Sequence, residues 1–256
     1  MRFVRFQTGR DEPKFGWIDE IRIGPLTASP IGEYQRLDAI LEMSQVKLLV
    51  PILPSKIICV GRNYTEHARE QGTIVPEYPT LFIKPPSSLI GQDDPIILPP
   101  QSQQVEHEAE LAVVIGKRGR WISEEQASRY IFGYTIANDI TARDLQERDG
   151  QWTRAKGFDT FCPLGPWIET EIDVTDVLIS CRVNGDLRQM ASSREMVFPI
   201  SHLITYISSV MTLEPGDVIL TGTPAGVGPL KEGDMVEITI DGIGTLKNTV
   251  QLDKKI

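Results

Sequence analysis

The pattern along this chain is of short apolar runs bounded by turn residues, some of them alternating with polar residues at a period of two, as in Leu178–Val183 and Met235–Ile240, and it reads as strand-rich. It predicts strands around Arg2–Gln7 and Phe15–Ile23, then at Lys56–Val60, Thr80–Lys84, Glu108–Ile115 and Ile131–Ala137. Four more are expected at Leu178–Val183, Asp217–Thr221, Met235–Ile240 and Thr245–Val250. Asn184-Gly185 and Asp241-Gly242 supply hairpin turn signals. Helical spacing is rarer. Leu37, Ile40 and Leu41 predict an amphipathic helix around Tyr34–Met43, and further helices are expected at Tyr64–Glu70, Glu124–Tyr130, Ala142–Arg148 and Ile200–Met211. Pro51 and Pro54 stiffen a connector, which sets a small N-terminal α/β subdomain, residues 1–52, apart from a main region, residues 53–256. Strands do not alternate regularly with helices, so the class is α+β, with a large mixed or rolled sheet and not a doubly wound one.

One predicted strand opens with charge. In Val-Glu-His-Glu-Ala-Glu-Leu (105–111), alternate side chains share a face, so Glu106, Glu108 and Glu110 project together, opposite His107, Leu111 and Val113. Like charges on a strand that runs on into an apolar core repel one another and resist desolvation. A hard cation between them removes the conflict; a solvated edge strand avoids it. Asp139 stands at a strand terminus, and Thr141 with Asp144 three residues on can cap the following helix. On that helix Arg143 and Gln146 share a face. His67 and Glu70 stand three apart on another helix, a spacing at which a carboxylate orients an imidazole for base catalysis, and at which surface pairs also form. His202 has no evident partner.

Composition serves mostly to exclude. A net charge of −9 and the lack of a basic run argue against nucleic acid and anionic membranes as partners. Cys59, Cys162 and Cys181 are scattered without a C-x-x-C spacing, so buried free thiols in a reducing compartment are expected. No apolar run approaches membrane-spanning length and no signal-peptide core opens the chain, so the expected location is cytoplasmic.

Six segments in order resemble the fumarylacetoacetate hydrolase family, in its branch of acylpyruvate hydrolases and 2-hydroxyhepta-2,4-diene-1,7-dioate isomerases. They are Cys-Val-Gly-Arg-Asn-Tyr-x-x-His (59–67), Leu-Phe-Ile-Lys-Pro (81–85), His-Glu-Ala-Glu-Leu (107–111), Asn-Asp-Ile-Thr-Ala-Arg-Asp-Leu-Gln (138–146), Arg-Ala-Lys-Gly-Phe-Asp (154–159) and Leu-Thr-Gly-Thr-Pro-Ala-Gly-Val-Gly (220–228). The resemblance covers about residues 55–250 and implies a mixed β-sandwich roll that associates as a homodimer. It implies Glu108, Glu110 and Asp139 as metal ligands, a set of hard oxygens suited to Mg²⁺ or Mn²⁺. Glu106 falls outside the matched pattern. Lys156 matches an active-site lysine, His67 and Glu70 a catalytic dyad on a segment that orders over the substrate, and Arg62, Lys84, Arg143, Gln146 and Thr223 positions lining the cleft. The glycine-rich loop from Thr221 to Gly228 lets backbone N–H groups approach a carboxylate, and without a following Gly-Lys-Ser/Thr it is no nucleotide loop.

The activity implied is cleavage of a carbon–carbon bond in small 2,4-dioxo acids such as acylpyruvates, through a metal-stabilised enolate and water activated by His67 and Glu70. The same enolate site would serve an oxaloacetate decarboxylase or a dienoate isomerase. A non-catalytic paralogue that binds metal or ligand is the alternative of another class.

Overall fold

The computed structural model describes residues 1–254. Its centre is a strand, Ala109–Ile115, in which every residue is buried. Burial on both faces explains why Leu-Ala-Val-Val-Ile reads as a continuous apolar run. The strand Ile131–Asn138 pairs antiparallel with it on one side and Val218–Leu220 on the other. From there a twelve-stranded mixed sheet extends outward: through Ile57–Gly61, parallel to Val218–Leu220, to Thr80–Lys84 at one end. In the other direction it runs through Cys162–Glu169 to Arg2–Gln7, Lys14–Asp19, Arg22–Pro25 and Leu41–Glu42. The N-terminal strands therefore continue the central sheet.

A second sheet of five strands, Asp186–Ser192, Leu178–Val183, Met235–Ile240, Gly244–Leu252 and Ile96–Leu98, packs over the first. Leu111 and Ile136 meet Ile179, Val236, Ile238 and Leu246 in the core between them. Farther along, the helix Ile200–Val210 buries Leu203, Ile204 and Ile207 against Val113 and Ile219, each burial contributing about 2 kcal/mol. A three-stranded sheet, Thr141–Ala142, Val105–His107 and Gly228–Pro229, closes one end. This is an α+β fold of mixed sheets with few helices. No helix among the described residues is long and apolar enough to cross a membrane.

Four expectations are corrected. The helix around Tyr34–Met43 does not form: Leu41–Glu42 adds to the sheet edge at Arg22–Pro25, Arg36 bridges to Leu26, and Trp17 Nε1 donates to the Leu37 carbonyl. Leu37 and Ile40, which suggested an apolar face, are 49% and 73% exposed. Backbone pairing with an open sheet edge outweighs a weak helical periodicity. Phe15–Ile23 is a tight hairpin of Lys14–Asp19 and Arg22–Pro25, turned by Glu20 at φ 52°. Glu124–Tyr130 winds as a 3₁₀ helix. The acid-rich strand is two strands, Val105–His107 and Ala109–Ile115, which part at Glu108. Both Asx-Gly signals mark hairpins: Asn184 and Gly185 take φ of 54° and 85°, as a two-residue hairpin turn needs, while Asp241 and Gly242 open a three-residue loop between Met235–Ile240 and Gly244–Leu252.

Candidate active site

The break at Glu108 builds the site. Its carbonyl accepts from the Asp139 N–H at 2.9 Å, and its own N–H donates to Asn138 Oδ1 at 2.9 Å. Two strand ends are thereby laced together, and one carboxylate oxygen from each of Glu108, Glu110 and Asp139 falls within 4.8 Å of the others. All three residues are buried.

Cations are buried with them. Lys156 Nζ donates to Glu108 Oε2 at 2.8 Å and to Asp139 Oδ2 at 2.7 Å. Arg143 forks across two acids, Nη2 to Glu108 Oε1 at 2.6 Å and Nε to Glu106 Oε2 at 2.8 Å, and its Nη1 donates to Gln146 Oε1 at 2.6 Å. Lys84 lies beneath the floor of the cleft and does not line it, which corrects its expected place: it is fully buried, donating to Asp139 Oδ1 at 2.6 Å and to the Ile140 carbonyl. A strand-end lysine followed by two prolines gives no hint of such burial. Thr141 is not a helix cap either; its hydroxyl donates to Glu108 Oε1 at 3.0 Å, while Asp144 accepts from Ser102 and from the Gln103 N–H.

Glu110 differs from its neighbours. Among the described residues no lysine or arginine pairs with it, and the Gly222 N–H donates to its Oε2 at 2.6 Å. Burial, then the negative charges of Asp139 and Glu108, push its carboxyl well above the usual range. Burial opposes the charge on Glu108 too, but Lys156 and Arg143 outweigh it and hold that carboxyl far below the usual range. Burial works against the Lys156 ammonium, yet Asp139 and Glu108 raise its pKa, so it stays charged and is no base. Glu106, Glu108, Glu110 and Asp139 thus face Lys84, Lys156 and Arg143, four carboxylates against three cations. Three hard oxygen donors, one of them a carboxyl that resists ionisation for want of a paired cation, fit a hard divalent cation. With it the cluster carries one positive charge toward an anionic ligand.

A cavity of about 210 Å³ opens onto this cluster, with Arg62, His67, Phe82, Gln146, Trp152 and Thr223 also in its wall. His67 is 6% exposed and its Nδ1 lies 3.2 Å from Glu70 Oε2. The other Glu70 oxygen accepts from the Gly226 N–H at 3.0 Å, so the helix Thr65–Glu70 is already latched over the cleft. Arg62 sits at left-handed φ, 64°, its guanidinium 5.9 Å from the Trp152 ring, and Trp152 packs edge-on against Phe82. His202, at the surface, meets Glu124 at 2.9 Å. Sequence reasoning gave Thr141 only a capping role and passed over Trp152 and the buried Gln189, which joins His107, Ala109, Thr223 and Pro224. Thr141 lies inside a recognised segment, where it could have been found; Gln189, in an edge-strand hairpin, carried no signal. All three cysteines are buried and free.

Comparison with known proteins gives the same frame. The family described as fumarylacetoacetate (FAA) hydrolase C-terminal matches residues 56–251, and Rv2993c-like, N-terminal matches residues 1–51. The chain is 48% identical over 224 residues to the mitochondrial oxaloacetate tautomerase FAHD2B of Bos taurus, covering 82% of this chain and 71% of that one. It superposes on the 2-hydroxyhepta-2,4-diene-1,7-dioate isomerase of Mycobacterium marinum with a TM-score of 0.92 at 44% identity, over 100% of both chains. On the maleylpyruvate hydrolase of Sphingobium sp. SYK-6, in complex with manganese(II) ion and pyruvate, the TM-score is 0.82 at 33% identity, over 99% of this chain and 100% of that one.

Proposed function

This chain belongs to the fumarylacetoacetate hydrolase family, and we propose that it is a divalent-metal-dependent enzyme that enolises small 2-oxo acids, with keto–enol exchange of an oxaloacetate-like diacid as its reaction. The observation that carries the reading is a buried carboxylate trio, one positive charge short, that shares a small cleft with a His–Glu pair. The tautomerase and isomerase relatives, at 48% and 44% identity, support enolisation over bond cleavage.

Glu108, Glu110 and Asp139 would hold the cation, Mg²⁺ or Mn²⁺. When bound it supplies Lewis-acid stabilisation for an oxyanion developing at C2. Lys156, charged and bonded to Glu108 and Asp139, fixes the distance between two of the donors and adds positive potential where the enolate forms. Arg143 and Gln146 hold one another, and with Thr223 they offer polar contacts to the substrate carboxylate. His67 donates Nδ1–H to Glu70, which leaves Nε2 as the basic nitrogen. It takes the C3 proton while Glu70 stabilises the imidazolium, then returns the proton to oxygen or carbon. Phe82 and Trp152 keep that exchange away from bulk water.

Hydrolysis of a 2,4-dioxo acid is the second reading, favoured by the similarity to the maleylpyruvate hydrolase, since the same histidine could deliver water to C4. Solvent deuterium entering C3 of oxaloacetate, followed by NMR beside a maleylpyruvate or acetylpyruvate cleavage assay, separates the two. Metal-dependent exchange that falls about 100-fold or more in His67→Ala is expected. Rapid cleavage with exchange no faster than in buffer would hand the site to the hydrolase reading.

A further inference from the structure

We infer that Gln189 is a positioning residue that couples the metal carboxylates to the His67–Glu70 pair through the Gly222–Gly228 loop. It sits on the strand Asp186–Ser192, in the second sheet, and is fully buried. Its amide makes four contacts at once. Oε1 accepts from the Ala109 N–H at 3.0 Å and meets His107 Nδ1 at 3.0 Å. Nε2 donates to Thr223 Oγ1 and to the Pro224 carbonyl, both at 2.8 Å. The orientation is dictated: a backbone N–H only donates and a carbonyl only accepts, so the oxygen faces Ala109 and the nitrogen Pro224.

The partners explain the need for this amide. His107 and Ala109 flank Glu108 in the chain, so Oε1 holds the Ala109 backbone on one side of that carboxylate and the His107 ring on the other. Thr223 and Pro224 belong to the loop whose Gly222 N–H binds Glu110 and whose Gly226 N–H binds Glu70. Gly226 also lies flat on the same strand, where an added Cβ would come 2.0 Å from the Arg188 carbonyl oxygen. The hydroxyls of Thr221 and Thr223 tie the start of this loop to the acid strand at 2.8 and 2.9 Å. Gln189 adds the tie to the second sheet, so it helps set the height of a loop that touches a metal carboxylate at one end and the dyad at the other. The core beside it, with Cys181 and Ala191, would accept an apolar residue more readily than an amide. A buried amide that satisfies four polar groups there serves the loop and the acid strand.

The catalytic part of this inference rests on the proposed enolisation; the metal part does not. The test takes Gln189→Met in the full chain, with Mn²⁺ affinity read by water-proton relaxation and kcat and KM read from C3 exchange. Mn²⁺ binding is expected to weaken about 10-fold, and kcat to fall about 10- to 100-fold while KM stays within about threefold. Combined with Glu70→Gln, the losses in kcat should be less than multiplicative, because both changes act on one contact chain. Unchanged Mn²⁺ affinity, or losses that multiply, would each overturn the coupling. Should Gln189→Met fail to fold, Gln189→Glu carries the same expectations, since it keeps the acceptor for Ala109 and sets an oxygen against Pro224. A parent chain inactive on oxaloacetate would overturn the proposed reaction instead, and the Mn²⁺ arm would then decide on Gln189.

Discussion

Among the described residues Glu110 is the buried acid that no lysine or arginine pairs with, and the behaviour of the metal-free protein should show it. Its folded-state pKa is raised, so its contribution to stability is present below the unfolded carboxylate pKa and is lost as pH rises through the folded value. In thermal melts without metal, Glu110→Gln should therefore melt above the parent at pH 8, and the gap should narrow toward pH 5. A gap that widens on acidification would reverse the assignment. Lys84 makes the complementary case. Lys84→Met strips Asp139 of one buried partner and should cost about 3 kcal/mol in urea unfolding, in line with a broken buried pair. The acids were legible in the sequence because a core strand rarely carries Glu-x-Glu. Lys84, Arg143 and Lys156 were legible only through the family resemblance, and their burial against the acids was not, because Lys84 and Arg143 stand where solvated side chains ordinarily stand.

Among the elements, the Gly222–Gly228 loop carries the most function per residue, and its glycines are a geometric need. Gly226 adopts φ 99° against the Arg188 carbonyl, so Gly226→Ala must lift the loop from the strand. That variant should keep its circular dichroism spectrum while kcat falls at least about 10-fold, as expected when a positioned group moves by an ångström. Unchanged kcat would mean that the loop does not set the dyad. Strands with one wet face, such as Leu178–Val183 and Met235–Ile240, were legible from their period of two, whereas Cys162–Glu169, buried along almost its whole length, shows no alternation and was not expected. The helix expected around Tyr34–Met43 failed because Leu37 and Ile40 face solvent while the backbone nearby completes a sheet edge, a contact that sequence spacing does not encode. The partition at Glu108 was hidden for a related reason: alternation continues through it, and only the crossing of strand ends parts the two sheets.

Across the whole molecule, the N-terminal strands extend the sheet that carries the site. Arg2–Gln7 pairs with Cys162–Glu169, and Phe3 packs in one core with Ala112, Ala137 and Leu164. A chain lacking residues 1–50 would bare that strand edge, and size-exclusion chromatography should show aggregation beside a lowered melting temperature. A monodisperse remnant with unchanged melting would show that the sheet needs no cover there. The fold class could be read from the order of elements and the six matched segments, whereas the layering of five strands over twelve depends on pairings far apart in sequence. The account stands most directly on one measurement, the titration of Mn²⁺ into the metal-free protein by electron paramagnetic resonance. It predicts one tight site per chain, abolished in turn by Glu108→Ala, Glu110→Ala and Asp139→Ala. Tight binding that survives any one of those substitutions, or no binding by the parent, would contradict it.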